Sequence, residues 1–333
     1  MKLLIFPEVD ADRLQRIQEA APGMQLVNAA TTAVALREIG DADAMFGKIT
    51  PELLAHARQI RWVQAPTAGM EDFLFPELIA HSCVVTGMRG IYADAIADHV
   101  YGYLLCLVRN LHLYIRQQMQ ASWNPIGGEE HRPSTAVGSG IQSDMDRAHG
   151  QLRDRTLGLV GFGHIGREIA RRAPAFRLRV VAVDPQCDVP TPEVQHLWPT
   201  DQLPQLLEIS DFVVITAPHT PQTAGLFRRA QFQTMRRTAF LVNVGRGVIV
   251  DLDDLCAALI AQEIAGAALD VFETEPLPNT HPLWRMENVI ITPHVASSCQ
   301  DLAERHLAIV ADNVARFSQS APLLNVVDKR VLY

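Results

Sequence analysis

The chain has 333 residues, of which 48% are hydrophobic and 20% are charged, and its formal net charge is -8 at pH 7. This length and apolar content predict about two domains, each with a buried core. The negative charge argues against nucleic acid or an anionic membrane as the main partner. The chain starts without a basic, apolar leader and has no stretch of about 18 uninterrupted apolar residues, so we expect a soluble, cytoplasmic protein. Its five cysteines are scattered, which favours reduced thiols.

Residues 2–86 alternate between short apolar runs and stretches with helical spacing. The apolar runs predict strands at 2–6, 24–27, 44–46, 62–65 and 84–86. Helices are predicted at 12–21, 31–39 and 51–57, the second opened by Thr31 as an N-cap and the third by Pro51 in its first turn. This alternation predicts a mostly parallel sheet with helices on both faces.

Residues 66–71, PTAGME, directly follow the predicted strand at 62–65. Their small side chains leave backbone N–H groups open at the carboxyl end of that strand, which is where open α/β sheets bind ligands. An ordinary turn fits this stretch equally well, so both interpretations stay open.

Two long segments separate this region from the rest of the chain. Residues 93–120 have helical spacing and are apolar on several faces, which predicts one long, buried helix in which His99 is a satisfied boundary histidine. Residues 124–150 are rich in glycine, proline, serine and aspartate, which predicts a long surface loop. A lid, an oligomer contact and a tolerated insertion all remain open for that loop.

The segment TLGLVGFGHIG, residues 156–166, places a G-x-G-x-x-G pattern between an apolar strand and a helix. In this pattern Gly161 allows a tight turn, Gly163 lets the backbone approach a pyrophosphate, and Gly166 lets the helix pack close to the strand. The N–H groups at the start of the helix then face the phosphates. A second strand, 180–183, ends in Asp184 at about the 20-residue offset expected for an acid that binds ribose hydroxyls. The arrangement predicts a dinucleotide-binding domain.

Strands and helices continue to alternate after this motif. Strands are predicted at 212–216, 239–244, 267–271 and 289–292, and helices at 203–209, 224–235, 252–260 and 301–317. Repeated units of this kind predict a doubly wound parallel sheet.

Three residues with useful chemistry fall just beyond predicted strands. Arg246 follows the strand at 239–244, Glu275 follows the one at 267–271, and His294 follows the one at 289–292. An arginine offers a planar fork to a carboxylate, and a histidine gives or takes a proton near neutral pH. A glutamate hydrogen-bonded to the histidine favours the imidazolium. Each residue alone also fits a structural role, but together, after an intact dinucleotide motif, they favour catalysis.

At this point the sequence resembles the D-isomer-specific 2-hydroxyacid dehydrogenases. The resemblance is carried by GFGHIG and by NVGRG, ALDVFETEP and TPHVA at 243–247, 268–276 and 292–296, and it is weaker over residues 1–65. PTAGME is similar to the family's substrate-carboxylate loop, and the end of the chain, with Tyr333, is similar to the family's tail. The resemblance implies a Rossmann doubly wound cofactor domain at 99–296 and a smaller flavodoxin-like α/β substrate domain at 1–98 and 297–333.

The resemblance also implies roles for individual residues. Arg246 binds the substrate carboxylate and carbonyl, His294 is the acid/base, Glu275 is its partner, and Ala68 and Gly69 donate backbone N–H groups to the carboxylate. The residues implied to bind the cofactor, NAD, are Gly161, Gly163, His164, Ile165, Gly166, Asp184, Pro218, Val244, Gly245 and Asp270. No metal ligand is implied. The implied reaction interconverts a small 2-oxo acid, such as glyoxylate or hydroxypyruvate, and its D-2-hydroxy acid, in a homodimer.

Some features depart from the family pattern or leave alternatives open. The loop from residue 127 to 150 is longer and richer in glycine than usual, and Pro174 is expected to end the first cofactor helix early. Because Asp184 repels a 2′-phosphate and no arginine immediately follows it, we expect NADH to be preferred over NADPH. Two alternatives are a nucleotide-sensing, corepressor-like protein on the same fold and a dehydrogenase of another small anion such as formate or phosphite.

Overall fold

The computed structural model of the chain describes residues 1–128, 142–186 and 191–330. The chain folds into two compact units, one formed by Met1–Tyr92 with Ser298–Tyr333 and one formed by Ala93–Ser297. The domain limits predicted from the sequence stay a prediction. Cys187, Tyr333 and residues 129–141 of the predicted loop lie outside the described residues, and the other four cysteines form no disulfide within the described ranges. Within the described ranges, no helix is both long and apolar enough to cross a bilayer.

The first unit, called here the five-stranded unit, is built on a fully parallel sheet. Its strands are β1 (Lys2–Phe6), β2 (Gln25–Asn28), β3 (Ala44–Gly47), β4 (Trp62–Gln64) and β5 (Val84–Thr86). Its helices are α1 (Ala11–Ala20), α2 (Thr32–Glu38), α3 (Pro51–His56), α4 (Pro76–Ala80) and, from the end of the chain, α12 (Leu302–Ser318). The strand order β2-β1-β3-β4-β5 is that of flavodoxin-like sheets.

Burial of this sheet follows from its parallel pairing. Leu3, Leu4 and Ile5 of β1 are all fully buried, as expected for a strand covered on both faces. Residues of α2, α3 and α4 pack on one face, and those of α1 and α12 pack on the other. The predicted caps are confirmed, since the hydroxyl of Thr31 accepts from the amide of Val34 at 3.3 Å and Pro51 lies in the first turn of α3.

A buried polar cluster ties α12 to this sheet. Gln64 of β4, Thr86 of β5 and Asn313 of α12 are each 0% exposed. The Thr86 hydroxyl and the Asn313 side-chain amide both donate to Oε1 of Gln64, each at 2.8 Å. Because buried polar groups are costly unless paired, this cluster fixes where α12 docks on the five-stranded unit.

The second unit, called here the seven-stranded unit, is also fully parallel. Its strands are β6 (Thr156–Val160), β7 (Arg179–Val183), β8 (Val194–Trp198), β9 (Phe212–Ile215), β10 (Phe240–Asn243), β11 (Gly266–Leu269) and β12 (Val289–Ile291). Its helices are α5 (Ala93–Val108), α6 (Leu111–Met119), α7 (Asp144–Ala148), α8 (His164–Arg172), α9 (Leu203–Ile209), α10 (Arg229–Thr234) and α11 (Leu252–Ile260). The strand order β12-β11-β10-β9-β6-β7-β8 reverses between β6 and β9, which confirms the predicted doubly wound Rossmann fold.

The prediction of one helix over residues 93–120 is wrong. The helix ends at Val108 and a new one starts at Leu111, because Asn110 is left-handed with φ 57°. The amide of Gly150 donates to the Val108 carbonyl at 2.9 Å, and the Asn110 side chain donates to the carbonyl of Ala148 at 2.8 Å. The segment after α7 therefore crosses the helical run and breaks it.

The helix predicted at 224–235 is shorter than expected and begins only at Arg229. The preceding Phe227 pairs instead with Val250 in a parallel bridge, and its amide donates to the Ile249 carbonyl at 2.9 Å. As predicted, the helix containing the glycine motif ends early, at Arg172, and a short 3₁₀ turn carries Pro174.

Candidate active site

The glycine motif makes a tight turn from β6 into α8. Gly161 has φ +99°, and a Cβ placed there lies 2.8 Å from the Ala217 amide nitrogen. A Cβ on Gly166 lies 2.5 Å from the Gly161 carbonyl oxygen. A Cβ on Gly163, in contrast, has nothing within 4 Å, so this glycine faces open space. The first and third glycines are thus needed for packing, and the second leaves room beside the backbone.

The start of α8 presents an anion site. Gly163 is the N-cap and is exposed, and the first helical hydrogen bond runs from the Arg167 amide to the Gly163 carbonyl at 3.0 Å. His164 and Ile165 form the first turn after it. The positive end of the helix dipole therefore meets the open space beside Gly163, an arrangement that fits a bound pyrophosphate.

Asp184, directly after β7, is engaged with the glycine loop. Its carboxylate accepts from the Phe162 amide at 2.6 Å and from the Gln186 amide at 2.8 Å. A carboxylate has about four acceptor positions, so these two bonds leave capacity for hydroxyl donors. Its contact with the cofactor ribose stays a prediction.

Three loops meet backbone to backbone where the strand order reverses. The Thr216 hydroxyl donates to the Gly161 carbonyl at 2.8 Å, and a Cβ on Gly245 lies 2.7 Å from the Ala217 carbonyl oxygen. The structure places Pro218 on the surface of the loop after β9, and it places Val244 in the interior, 6% exposed. In doubly wound folds this reversal is where dinucleotides bind.

Arg246 follows β10 in a loop that Asn243 holds in place. The Asn243 side chain is 1% exposed, donates to the Arg246 carbonyl at 3.0 Å and accepts from the Gly245 amide at 3.1 Å. A Cβ on Gly247 lies 1.8 Å from the backbone of Phe272, so this loop abuts the one that carries Glu275. The Arg246 guanidinium is partly buried and donates to the Gly245 carbonyl at 2.9 Å.

Glu275 and His294 form a direct pair. Nδ1 of His294 lies 2.7 Å from Oε2 of Glu275, and the two side chains are 48% and 35% exposed. Oε1 of Glu275 accepts from the Phe272 amide at 2.9 Å. The carboxylate is thus anchored through one oxygen and holds the imidazole through the other, which sets Nδ1 as the inner nitrogen and Nε2 as the outer one.

The buried carboxylate of Asp270 organises the loop that carries His294. It is 2% exposed and accepts from the amides of Val295 and Ala296, each at 2.9 Å, and from the hydroxyl of Thr292. Its implied contact with the nicotinamide amide stays a prediction. Sequence reasoning missed Asn243 and Thr292 as organisers, since neither a side chain that bonds within its own loop nor one that bonds to a distant side chain leaves a periodic signal.

The structure brings Arg246, Glu275 and His294 together in loops after the adjacent strands β10, β11 and β12. Ala68 and Gly69 lie after β4 in the five-stranded unit, and within the described residues their amides donate to no protein acceptor. The site roles of all these residues stay predictions.

The glycine turn, the helix start and the strand reversal together define a dinucleotide-binding domain. A profile of the D-isomer specific 2-hydroxyacid dehydrogenase NAD binding domain matches residues 101–296. A glyoxylate reductase from Thermofilum pendens is 32% identical over 309 residues, covering 89% of this chain and 84% of that protein. The chain therefore belongs to the D-isomer specific 2-hydroxyacid dehydrogenase family and is an oxidoreductase of that class.

Solved structures agree with this assignment. A D-isomer specific 2-hydroxyacid dehydrogenase family protein from Aeromonas salmonicida superposes with a TM-score of 0.79 at 30% identity, covering 98% of this chain and 99% of that one. An NADPH-dependent glyoxylate/hydroxypyruvate reductase from Sinorhizobium meliloti, in complex with NADP and sulfate, superposes with a TM-score of 0.78 at 25% identity, covering 100% and 99%. The class of cofactor is therefore a nicotinamide dinucleotide, NAD or NADP.

Proposed function

We propose that this protein uses NADH to reduce a small 2-oxo acid, glyoxylate or hydroxypyruvate in the first instance, to its D-2-hydroxy acid. The observation that carries the proposal is the 2.7 Å His294–Glu275 pair in the loop next to the one bearing Arg246. The glyoxylate reductase from Thermofilum pendens supports the substrate class. Because both partners of the pair remain partly exposed, substrate has access to His294.

A nicotinamide dinucleotide would be held at the glycine loop around Gly163 and would supply the hydride for reduction at C2 of the substrate. Arg246 binds the substrate carboxylate and polarises the carbonyl through its planar fork of donors. The amides of Ala68 and Gly69 bind the same carboxylate, in keeping with their lack of an acceptor among the described residues. Asn243 keeps the Arg246 backbone in place through its two loop bonds.

His294 supplies the proton. Its outer nitrogen, Nε2, holds the proton and gives it to the carbonyl oxygen, while Nδ1 stays hydrogen-bonded to Glu275. The Glu275 carboxylate keeps the ring oriented, because its other oxygen is anchored on the Phe272 amide. In the oxidative direction the same nitrogen accepts the hydroxyl proton.

The preference for NADH rests on Asp184. The acid lies at the end of β7 beside the glycine loop, where a carboxylate accepts ribose hydroxyls and repels a 2′-phosphate. Relatives bind NADP, including the reductase from Sinorhizobium meliloti, so the preference is a property to measure in this chain.

We also propose a homodimer, supported by an apolar stripe on α6. Leu111, Ile115 and Met119 are 43%, 54% and 85% exposed. Helical residues four apart share a face, so these three side chains form one exposed apolar stripe of the kind that marks interfaces. Light scattering at micromolar concentration is expected to give a dimer mass, and a monomer mass refutes this part of the proposal.

One activity panel tests the function. Glyoxylate, hydroxypyruvate, pyruvate and formate are assayed with NAD(H) and NADP(H), and the product is analysed by chiral chromatography. We expect D-2-hydroxy acid formation with NADH, and loss of both substrate affinity and rate in Arg246→Ala, since its contacts persist into the transition state. Binding of NADH without turnover of any 2-oxo acid favours the nucleotide-sensing alternative. Turnover of formate alone favours a dehydrogenase of another small anion.

A further inference from the structure

The hydroxyl of Thr292 joins helix α5 to the loop that carries His294. Its oxygen contacts the carboxylate of Asp270, the hydroxyl of Tyr103 and, at 3.1 Å, Nε2 of His99. An ionised carboxylate only accepts hydrogen bonds, so Thr292 gives its single hydrogen to Asp270. Tyr103 and His99 must then both donate to the Thr292 oxygen. The result is a directed chain from α5 through Thr292 to Asp270.

The surroundings of these hydrogen bonds keep Tyr103 and His99 in the protonation states in which they can donate to Thr292. Tyr103 is 4% exposed, and burial raises the pKa of its hydroxyl, so the phenol stays protonated. Burial also lowers the pKa of His99, whose ring packs edge-on against Tyr103 with centroids 4.5 Å apart. The neutral imidazole then carries its hydrogen on Nε2, the nitrogen that faces Thr292.

Asp270, the last member of this series of hydrogen bonds, holds His294 in an unusual backbone conformation. His294 has φ 54°, a left-handed conformation that is unfavourable for a non-glycine residue. Its amide donates to the Asp270 carbonyl at 2.8 Å, and the next two amides donate to the Asp270 carboxylate. Such a conformation persists only where the surroundings determine it.

We propose that Thr292 and Tyr103 are positioning residues for His294, which fix the Asp270-centred loop and thereby aim the imidazole at Glu275. The inference rests on the proposed function for its kinetic consequences, but its structural consequence concerns the free protein alone. The Thr292 hydroxyl bonds to Asp270 and Tyr103 and not to the His294–Glu275 pair, whereas the Thr292 carbonyl accepts from the His294 amide at 3.1 Å. The two hydroxyls therefore act on His294 through Asp270 and the loop.

The kinetic test removes one hydroxyl at a time. Since misplacing a catalytic group by about 1 Å costs up to about 100-fold, we expect Thr292→Val to lower kcat by about 10- to 100-fold and Tyr103→Phe by about three- to tenfold. NADH affinity is expected to be unchanged, and Thr292→Ser, which keeps the hydroxyl, is expected to restore most of the rate. The matched control is Tyr101→Phe, which removes a buried hydroxyl of α5 that donates to the Ile169 carbonyl at 2.7 Å. Its kcat should equal that of the parent.

A second readout needs no turnover. The Nδ1–H proton of His294, hydrogen-bonded to Glu275, is followed by NMR in the free protein. We expect its resonance to move in Thr292→Val and Tyr103→Phe and to stay in place in Tyr101→Phe and Thr292→Ser. An inactive parent whose resonance still moves in this pattern supports the positioning role while the proposed function fails.

Two results overturn the inference. One is a Tyr103→Phe enzyme whose kcat and His294 resonance both match those of Tyr101→Phe. The other is a Thr292→Ser enzyme as impaired as Thr292→Val, since the hydroxyl is then irrelevant. If Thr292→Val does not fold, the comparison of the two tyrosine variants still decides the matter.

Discussion

The two halves of the carboxyl edge of the seven-stranded sheet are built on different principles. In the glycine half, the loops after β6 and β7, the exposed groups are backbone N–H groups around Gly163, and Asp184 is partly occupied in holding that backbone. In the proposed catalytic half, the loops after β10, β11 and β12, the side chains of Glu275 and His294 are partly exposed, and the loop backbones are held by the side chains of Asn243 and Asp270. We infer that substitutions that add side-chain atoms impair the glycine half, whereas substitutions that remove side-chain atoms impair the catalytic half.

The largest expected effect is in the catalytic half. His294→Ala removes the proton donor, so reductive kcat should fall by about 10²–10⁴, the usual range for lost acid–base catalysis. NADH binding, measured by fluorescence, should be unchanged, because the glycine half is intact. His56→Ala, which removes an exposed histidine of α3, is the control and should keep full activity. A folded His294→Ala enzyme with parental kcat breaks the assignment.

The second-largest expected effect is in the glycine half, and it comes from adding atoms rather than from removing them. Gly163→Ala places a methyl group in the open space where the pyrophosphate is proposed to bind, so NADH affinity should fall by about 10- to 100-fold, the cost of crowding a packed site. Gly23→Ala is the control, since its Cβ also meets nothing within 4 Å but lies in a surface turn of the five-stranded unit. Equal NADH affinity in both variants contradicts the pyrophosphate site.

Glu275→Gln sharpens the role of the catalytic pair. The amide keeps the shape of the side chain but has one acceptor oxygen instead of two, so it cannot hold both the Phe272 amide and Nδ1 of His294. We expect the imidazole to lose its orientation and reductive kcat to fall by about tenfold. A variant that folds, binds NADH and keeps the parental kcat would return Glu275 to being an ordinary loop acid.

Asp184→Ser should give the smallest change. Removing one partly exposed charge is worth about 1 kcal/mol, so the preference for NADH over NADPH should narrow by about fivefold. Asp201→Ser, an exposed acid of the same unit, is the control and should leave the cofactor ratio unchanged. If the parent already uses NADPH as well as NADH, the preference argued from Asp184 is wrong.

The strands and most helices were predictable because their signals are local. The helices at 203–209 and 252–260 have the predicted limits, since an apolar periodicity marks each one. Strand β8 was not predicted, because it lies at the sheet edge and of its residues only Val194 is buried, which removes the apolar run. The break at Asn110 was not predicted either, because its cause is the distant segment 148–150.

The candidate site was likewise predicted only in part. Arg246, Glu275 and His294 were found because strand ends can be located in the sequence and the carboxyl ends of parallel strands share one edge. The residues that hold them, Asn243 and Thr292, were not found. Asn243 bonds to backbone groups of its own loop, and the Thr292 hydroxyl bonds to the side chains of Asp270 and Tyr103, so both sets of contacts exist only after folding.

The position of α12 affects the order in which the protein is completed on the ribosome. Leu307, Val310 and Val314 of this helix close a core formed with residues of β1, β3 and α1, so the part made first lacks one of its walls until the part made last has emerged. After Thr86 the ribosome adds 232 residues (318 − 86) to complete α12 at Ser318, which takes roughly 10 to 50 s. Protease digestion of stalled nascent chains ending at Ser297 should cut within 1–92 and spare 151–297. A newly made chain therefore spends most of its synthesis with that apolar sheet face covered by α1 alone, and the gap left for α12 is where we expect a ribosome-associated chaperone to bind.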